Sequence, residues 1–223
     1  MIIKYDEKTG LEVAKILLEI GAINFNVTKP YRLASGVNSP VYVDCRKIIS
    51  YPTGRDRVVD LMQEMFLKIF EQETVHNIAG GETAGIPLAA ILADRLKLPL
   101  SYVRKKPKGY GINSQIEGDI NQGQNILLVE DLATDGGSKL NFVNALRGNG
   151  VICNNIFVLF YYNIFSKAPV LLSENRLNLH YLTNWQDVLS VAKNCGYFDI
   201  ETLACVENFL SNPASWSTNK NGN

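Results

Sequence analysis

Two adjacent acids and a short run of glycines and hydroxyls carry the most chemical information in this chain. Ile126-Leu127-Leu128-Val129 reads as a buried strand that ends in Glu130-Asp131. Thr134-Asp135-Gly136-Gly137-Ser138 follows and opens a predicted helix over Ser138–Arg147. In an open α/β sheet, ligands bind beyond the carboxyl ends of the strands. Glycines let backbone N–H groups curl around a phosphate, and a helix N-terminus adds partial positive charge. Thr134 and Ser138 add hydroxyl donors, and the two acids are acceptors placed to hold a diol such as a pair of ribose hydroxyls. Other nucleotide motifs do not fit: the chain has no G-x-x-x-x-G-K-S/T, and no G-x-G-x-x-G follows a strand. Taken alone, the acids and glycines are also compatible with an ordinary acidic turn capping a helix.

A second charged group lies upstream. Arg104, Lys105, Lys106 and Lys108 crowd into five positions, inside a 21-residue connection, 104–124, between two predicted strands. Ordinary connections run to about 4–6 residues, so this length points to a functional lid. The cations repel one another unless an anion binds, and Gly109, Gly111 and Gly118 permit hinge motion. No convincing Ser/His/Asp or Cys/His set is present, so no nucleophilic side chain is expected. His76 and His180 fall in or near predicted strands and read as structural. Trp185 and Trp216 read as packing residues of the C-terminal helices. Glu82 either serves a metal indirectly or caps the helix after it.

These groups need a scaffold, and the hydrophobic pattern supplies one. Leu11, Ala14, Leu17 and Leu18 repeat at helical spacing, and Ser39–Asp44 reads as extended. Val58, Leu61, Met62, Met65, Phe66, Ile69 and Phe70 define an amphipathic helix over Arg57–Phe70. An alternation follows: strand Val75–Ala79, helix Ile86–Leu96, strand Leu100–Val103, strand Ile126–Val129, the helix at Ser138, then strand Ile156–Tyr161. Leu177–Leu182 alternates again, and two helices fall within Gln186–Leu210. Short apolar runs alternating with helices imply a central, mainly parallel sheet flanked by helices. The segment before about residue 50 stands outside the alternation and reads as a cap over the sheet. With 223 residues, the chain is expected to form a single domain: a capping region at 1–50, an α/β core at 51–215 and a flexible tail at 216–223.

Composition narrows the function. Lys+Arg and Asp+Glu both number 22, so no global field draws in nucleic acid or a membrane. The four cysteines, Cys45, Cys153, Cys195 and Cys205, form no C-x-x-C pair and read as reduced thiols. The N-terminal MIIKYDEKTG is charged where a signal peptide needs an apolar run, and no stretch of about 18 apolar residues exists. A cytoplasmic protein is the expectation.

The string VEDLATDGGS resembles the signature for phosphoribosyl pyrophosphate (PRPP) of the type I phosphoribosyltransferases. Three other stretches resemble the orotate enzymes of that family: Tyr31–Asp44 (YRLASGVNSPVYVD) their N-terminal hood, Gly80–Pro87 (GGETAGIP) their pyrophosphate loop, and Tyr102–Gly118 (YVRKKPKGYGINSQIEG) their catalytic loop. The four stretches stand in family order, and the similarity runs from about residue 10 to about 215. The resemblance implies transfer of a phosphoribosyl group to orotate, giving orotidine 5′-monophosphate and pyrophosphate in pyrimidine synthesis. It implies that Arg104, Lys105 and Lys108 act at the pyrophosphate, with Lys108 the main catalytic cation. Thr83, Ala84 and Tyr110 would join them around PRPP. Glu130 and Asp131 would take the ribose hydroxyls. The segment Leu132, Ala133, Thr134, Asp135, Gly136, Gly137, Ser138 would cradle the 5′-phosphate. Thr134, Tyr42, Val43 and Ala34 would flank orotate. It further implies Mg²⁺ bound mainly through PRPP, and a homodimer in which one subunit's loop closes the other's site.

The chain departs from the family pattern in four places. Ala34 and Ala84 stand where many members have Lys, and Tyr110 where many have His. Phe160-Tyr161-Tyr162-Asn163 lacks the Arg that often follows this strand to grip orotate, leaving Arg32 and Arg46 as possible substitutes. A transferase for another base and a non-catalytic PRPP-binding regulator are the alternatives. The four-cation loop argues against the regulator, which has no need of such a lid.

Overall fold

The computed structural model describes residues 1–32, 38–71, 74–108, 115–213 and 216. In chain order the elements are β1 (Ile2–Lys4), α1 (Glu7–Glu19), β2 (Ile23–Phe25), β3 (Tyr31–Arg32), β4 (Asn38–Ser39), β5 (Val41–Val43) and a 3-10 turn (Cys45–Ser50). Then come α2 (Pro52–Ile69), β6 (Asn77–Gly81), α3 (Gly85–Leu96), β7 (Leu100–Val103), β8 (Ile116–Glu117), β9 (Asn125–Ala133) and α4 (Gly137–Arg147). The chain continues with β10 (Ile152–Tyr161), α5 (Lys167–Glu174), β11 (Asn178–Asn184), α6 (Trp185–Cys195) and α7 (Ile200–Ser211).

Seven strands form the main sheet in the order β1-β11-β10-β9-β6-β7-β8. Every neighbouring pair is parallel except β7–β8. Side chains of successive strand residues point to opposite faces, and β9 divides them accordingly. Leu127 and Val129 join the core on one face, with α1, α2, α3 and α6, whereas Ile126 and Leu128 join the core on the other, with α4 and α5. An apolar run such as Ile126–Val129 is what a strand covered on both faces requires.

Four features differ from the sequence expectations. Strand β9 does not stop at Val129: Glu130 pairs with Val158 and Ala133 with Tyr161, so both acids lie within the strand. The 104–124 connection contains β8, which turns back antiparallel on β7. Residues 1–50 are not all cap, because β1 runs parallel to β11 and α1 packs on β11 and α6. Two small antiparallel pairs, β2–β5 and β3–β4, form the part that stands apart from the main sheet. The tail boundary at 216 falls one residue early: Trp216, read as a packing residue, is buried and packs edge-on to Phe209 with ring centroids 5.5 Å apart.

Candidate active site

The site lies at the carboxyl ends of β6 and β9, between the starts of α3 and α4. A cleft of about 430 Å³ opens there. Glu82, Thr83 and Ala84 line it from the β6–α3 turn, Lys105 from beyond β7, and Glu130 and Asp131 from β9. Ser138, Lys139, Asn141 and Phe142 line it from α4, and Arg46 from the 3-10 turn. The three stretches that the sequence singled out as pyrophosphate loop, cation loop and acid pair thus share one wall-to-wall space. The peptide bond between Glu82 and Thr83 is cis.

Glycine makes this convergence possible. A Cβ on Gly85 would stand 2.3 Å from the backbone oxygen of Val129, and one on Gly81 would stand 2.2 Å from Glu130 Oε1. The turn after β6 therefore lies directly against β9. Gly136, with φ of +85°, takes the left-handed conformation that begins α4 and suits glycine. Asp135 Oδ1 accepts from the Gly137 N–H at 3.1 Å, which shapes the loop ahead of the helix. Leu132 and Ala133 are strand residues whose apolar side chains face the two cores, so only their backbone can meet a polar ligand.

Glu130 is nearly inaccessible and pairs through Oε2 with the ammonium of Lys139, itself buried. Burial drives the Glu130 pKa up to about 7, although Lys139 opposes the rise. Burial also pushes Asp131 above its ordinary value. Glu130 and Asp131 thus stand side by side as acceptors at the cleft. Among the described residues, no group of three or more His, Cys, Asp or Glu is placed to hold a metal ion.

The loop cations divide. Lys105 reaches the cleft, and its backbone N–H donates to Glu82 Oε2 at 2.7 Å, which ties the loop to the β6–α3 turn. Lys108 and Arg104 instead pair with Glu117, Arg104 at 3.5 Å. The Lys108 hydrogen bond is the largest of the effects that hold the Glu117 carboxyl below its usual range. Tyr110 and Ala34 lie outside the described residues. Of the remaining base-flanking candidates, Tyr42 is half-buried and its ring lies 5.4 Å from that of Tyr31. Val43 is buried in the core, so its side chain cannot flank a base. Thr134 is half-buried in the loop ahead of α4. Arg46 lines the cleft with its Nε 2.8 Å from Asp44 Oδ1, whereas Arg32 is exposed on β3.

Sequence reasoning missed Lys139, Asn141 and Phe142. Lys139 had a legible signal: a cation in the first turn of a helix, where the macrodipole disfavours positive charge.

A mainly parallel sheet with a cleft at its strand ends, lined by an acid pair and by the start of the helix that follows, is the architecture of a phosphoribosyltransferase. Residues 52–169 match the phosphoribosyl transferase domain family. Relatives named orotate phosphoribosyltransferase are 53% identical in Ruegeria sp. and 54% identical in Cereibacter sphaeroides. The first alignment covers 91% of this chain and 90% of the relative, the second 94% and 90%. The crystal structure of orotate phosphoribosyltransferase from Aeropyrum pernix superposes with a TM-score of 0.68 at 31% identity, over 84% of this chain and 99% of that one. The chain belongs to the orotate phosphoribosyltransferase family.

Proposed function

We propose that the protein transfers the 5-phosphoribosyl group of PRPP to orotate, releasing pyrophosphate and forming orotidine 5′-monophosphate. One observation carries this reading: Glu82–Ala84, Lys105, Glu130, Asp131 and Ser138 line a single cleft. That cleft is the right size for a sugar phosphate and its leaving group, within the range of ordinary ligand pockets.

Breaking the bond between ribose C1 and pyrophosphate leaves positive charge on the sugar and adds negative charge to the leaving group. Asp131 and Glu130 accept from the ribose hydroxyls beneath the developing cation. The loop ahead of α4 and the Ser138 hydroxyl hold the 5′-phosphate. Lys105, anchored beside Glu82, meets the pyrophosphate, and Arg104 and Lys108 reach it when they leave Glu117. Mg²⁺ would be held mainly through PRPP, since no described group of three or more His, Cys, Asp or Glu is placed to hold a metal, and it would supply Lewis-acid stabilisation to the leaving group. A closed loop excludes the water that would hydrolyse the sugar cation. The protein acts as a homodimer whose loops cross between subunits, and it works in the cytoplasm. No helix among the described residues is long and apolar enough to cross a membrane.

A second reading, transfer to another base, draws on the segment after β10, where Tyr162-Asn163-Ile164-Phe165 has no Arg. A screen of bases with PRPP and Mg²⁺ decides between the two. Orotate should be consumed and orotidine 5′-monophosphate should form. Turnover of uracil or a purine with none of orotate would reject the first reading.

Two substitutions probe the ground state. Asp131→Ala is expected to weaken PRPP binding roughly ten- to a hundredfold, the worth of a hydrogen bond to a charged group, with the unfolding midpoint little changed. Calorimetric titration checks this, and normal affinity would remove Asp131 from the ribose site. Glu117→Gln removes the carboxylate that competes with pyrophosphate for Lys108 and Arg104. The pair is only partly buried, so KM for PRPP should fall only about two- to fivefold, with kcat steady. A higher KM would mean that Glu117 helps binding rather than competing with it.

A further inference from the structure

We propose that Lys139 is a positioning residue of the phosphoribosyl site: its ammonium clamps Glu130 Oε2 and so keeps that carboxylate charged and fixed in the floor of the cleft. The inference rests on the reading of the cleft given above. Three observations carry it. Lys139 occupies the first turn of α4, where a helix disfavours a cation, so the position is not explained by the helix itself. Lys139 and Glu130 are 7% and 4% exposed, and groups of this type are buried together only when paired. Glu130 Oε1 accepts no hydrogen bond and is wedged against Gly81 and Gly85, so the carboxylate depends on this one partner.

The charges around Glu130 are few. Lys139 faces it from α4, Lys105 from beyond β7 and Asp131 from its own strand, and Glu82 of the β6–α3 turn and Arg46 of the 3-10 turn line the same cleft. Burial already carries Glu130 to about 7 against the pull of Lys139. Without that ammonium the weaker pull of Lys105 is left to oppose burial, and Glu130 takes up a proton at neutral pH. A neutral carboxyl accepts more weakly from a ribose hydroxyl and gives no electrostatic support to positive charge on the sugar.

The test measures PRPP affinity by calorimetry, and kcat/KM for PRPP, from pH 6 to 9.5. The proteins are wild type, Lys139→Met, Lys139→Arg, Glu130→Gln and the double Glu130→Gln/Lys139→Met. At pH 7 the Met variant should lose about fivefold in both quantities, with its acid limb moved up by about one pH unit. Most of the loss should return by pH 9, where Glu130 ionises unaided. The Arg variant should keep the wild-type limb. In the Glu130→Gln background, Lys139→Met should add no further loss. The double variant contains no unpaired buried charge, so this comparison stands even if Lys139→Met alone does not fold. A loss that is the same at every pH, or that persists in the Gln background, would overturn the proposal. Wild-type protein that binds PRPP but ignores orotate would instead overturn the base assignment, and the PRPP titrations would still decide the role of Lys139.

Discussion

Lys108→Ala is expected to lower kcat about 10²- to 10³-fold, the cost of losing one preorganised contact to charge that develops in the transition state. PRPP affinity should fall much less, because the pyrophosphate gains negative charge only as the C1 bond breaks. In the free protein Lys108 pairs with Glu117, so its attachment to substrate is made anew in each turnover. Single-turnover kinetics separates binding from chemistry, and an unchanged kcat would reject the assignment. The proposed shared-loop dimer gives a sharper test. Lys108→Ala chains mixed with Asp131→Ala chains should regain part of the wild-type rate. In a mixed dimer one site receives both an intact loop and an intact floor. Mixed dimers that form but stay inactive would reject loop exchange.

Gly85→Ala is expected to be strongly destabilising. The new Cβ would meet the Val129 backbone oxygen at 2.3 Å, and Val129 is a rung of the β9–β10 ladder that cannot retreat. Helix α3 must move off the sheet instead, at a cost of about 3 kcal/mol, the upper end for overpacking a core. Urea unfolding measures the loss. Activity per folded molecule should fall as well, because the displaced helix carries Thr83 and Ala84 with it. Gly137→Ala is the control. Its methyl finds nothing nearer than Asp135 Oδ1 at 3.7 Å, so stability should hold or rise slightly. Equal losses at the two positions would show that steric contact with β9 is not the cause.

The sequence made the scaffold legible where the pattern was long. Helices α2 and α3 and strands β7, β9 and β10 carry apolar periodicity over enough residues to be assigned by eye. The three-residue edge strand β1 gave no such signal, because Ile2 and Ile3 could belong to any short apolar segment. Helix α5 was hidden because it buries only Ala168 and Leu172 and begins with Pro169 in its first turn. The acids of β9 looked like a strand end because charge normally terminates a buried run. Here the ladder continues, since Lys139 compensates Glu130 and the cleft receives Asp131.

The site was legible in its motifs and not in its joints. The acid pair, the glycine loop and the cations pointed to an anion-binding cleft through residue type and spacing, and the family resemblance of the full strings made the phosphoribosyl reading. Arg46 enters that cleft from a turn more than eighty residues upstream of the acids, and only folding brings it there. The Lys108–Glu117 pair depends on β8 turning back along β7, a two-residue strand too short to show in any periodicity.

The aromatic cluster around Trp185 makes part of this protein visible to light. The indole is buried, with ring centroids 5.2 Å from Phe160 and 5.4 Å from Tyr162 on the sheet side, and 6.1 Å from Phe25 of β2. Strand β2 pairs with β5, which carries Tyr42. One chromophore therefore packs against both the main sheet and the small sheet that carries Tyr42. Any ligand that reseats the small sheet alters the surroundings of this indole, and its emission reports the event without an added dye. Trp216 packs on Phe209 instead, so Trp216→Phe leaves Trp185 as the single reporter.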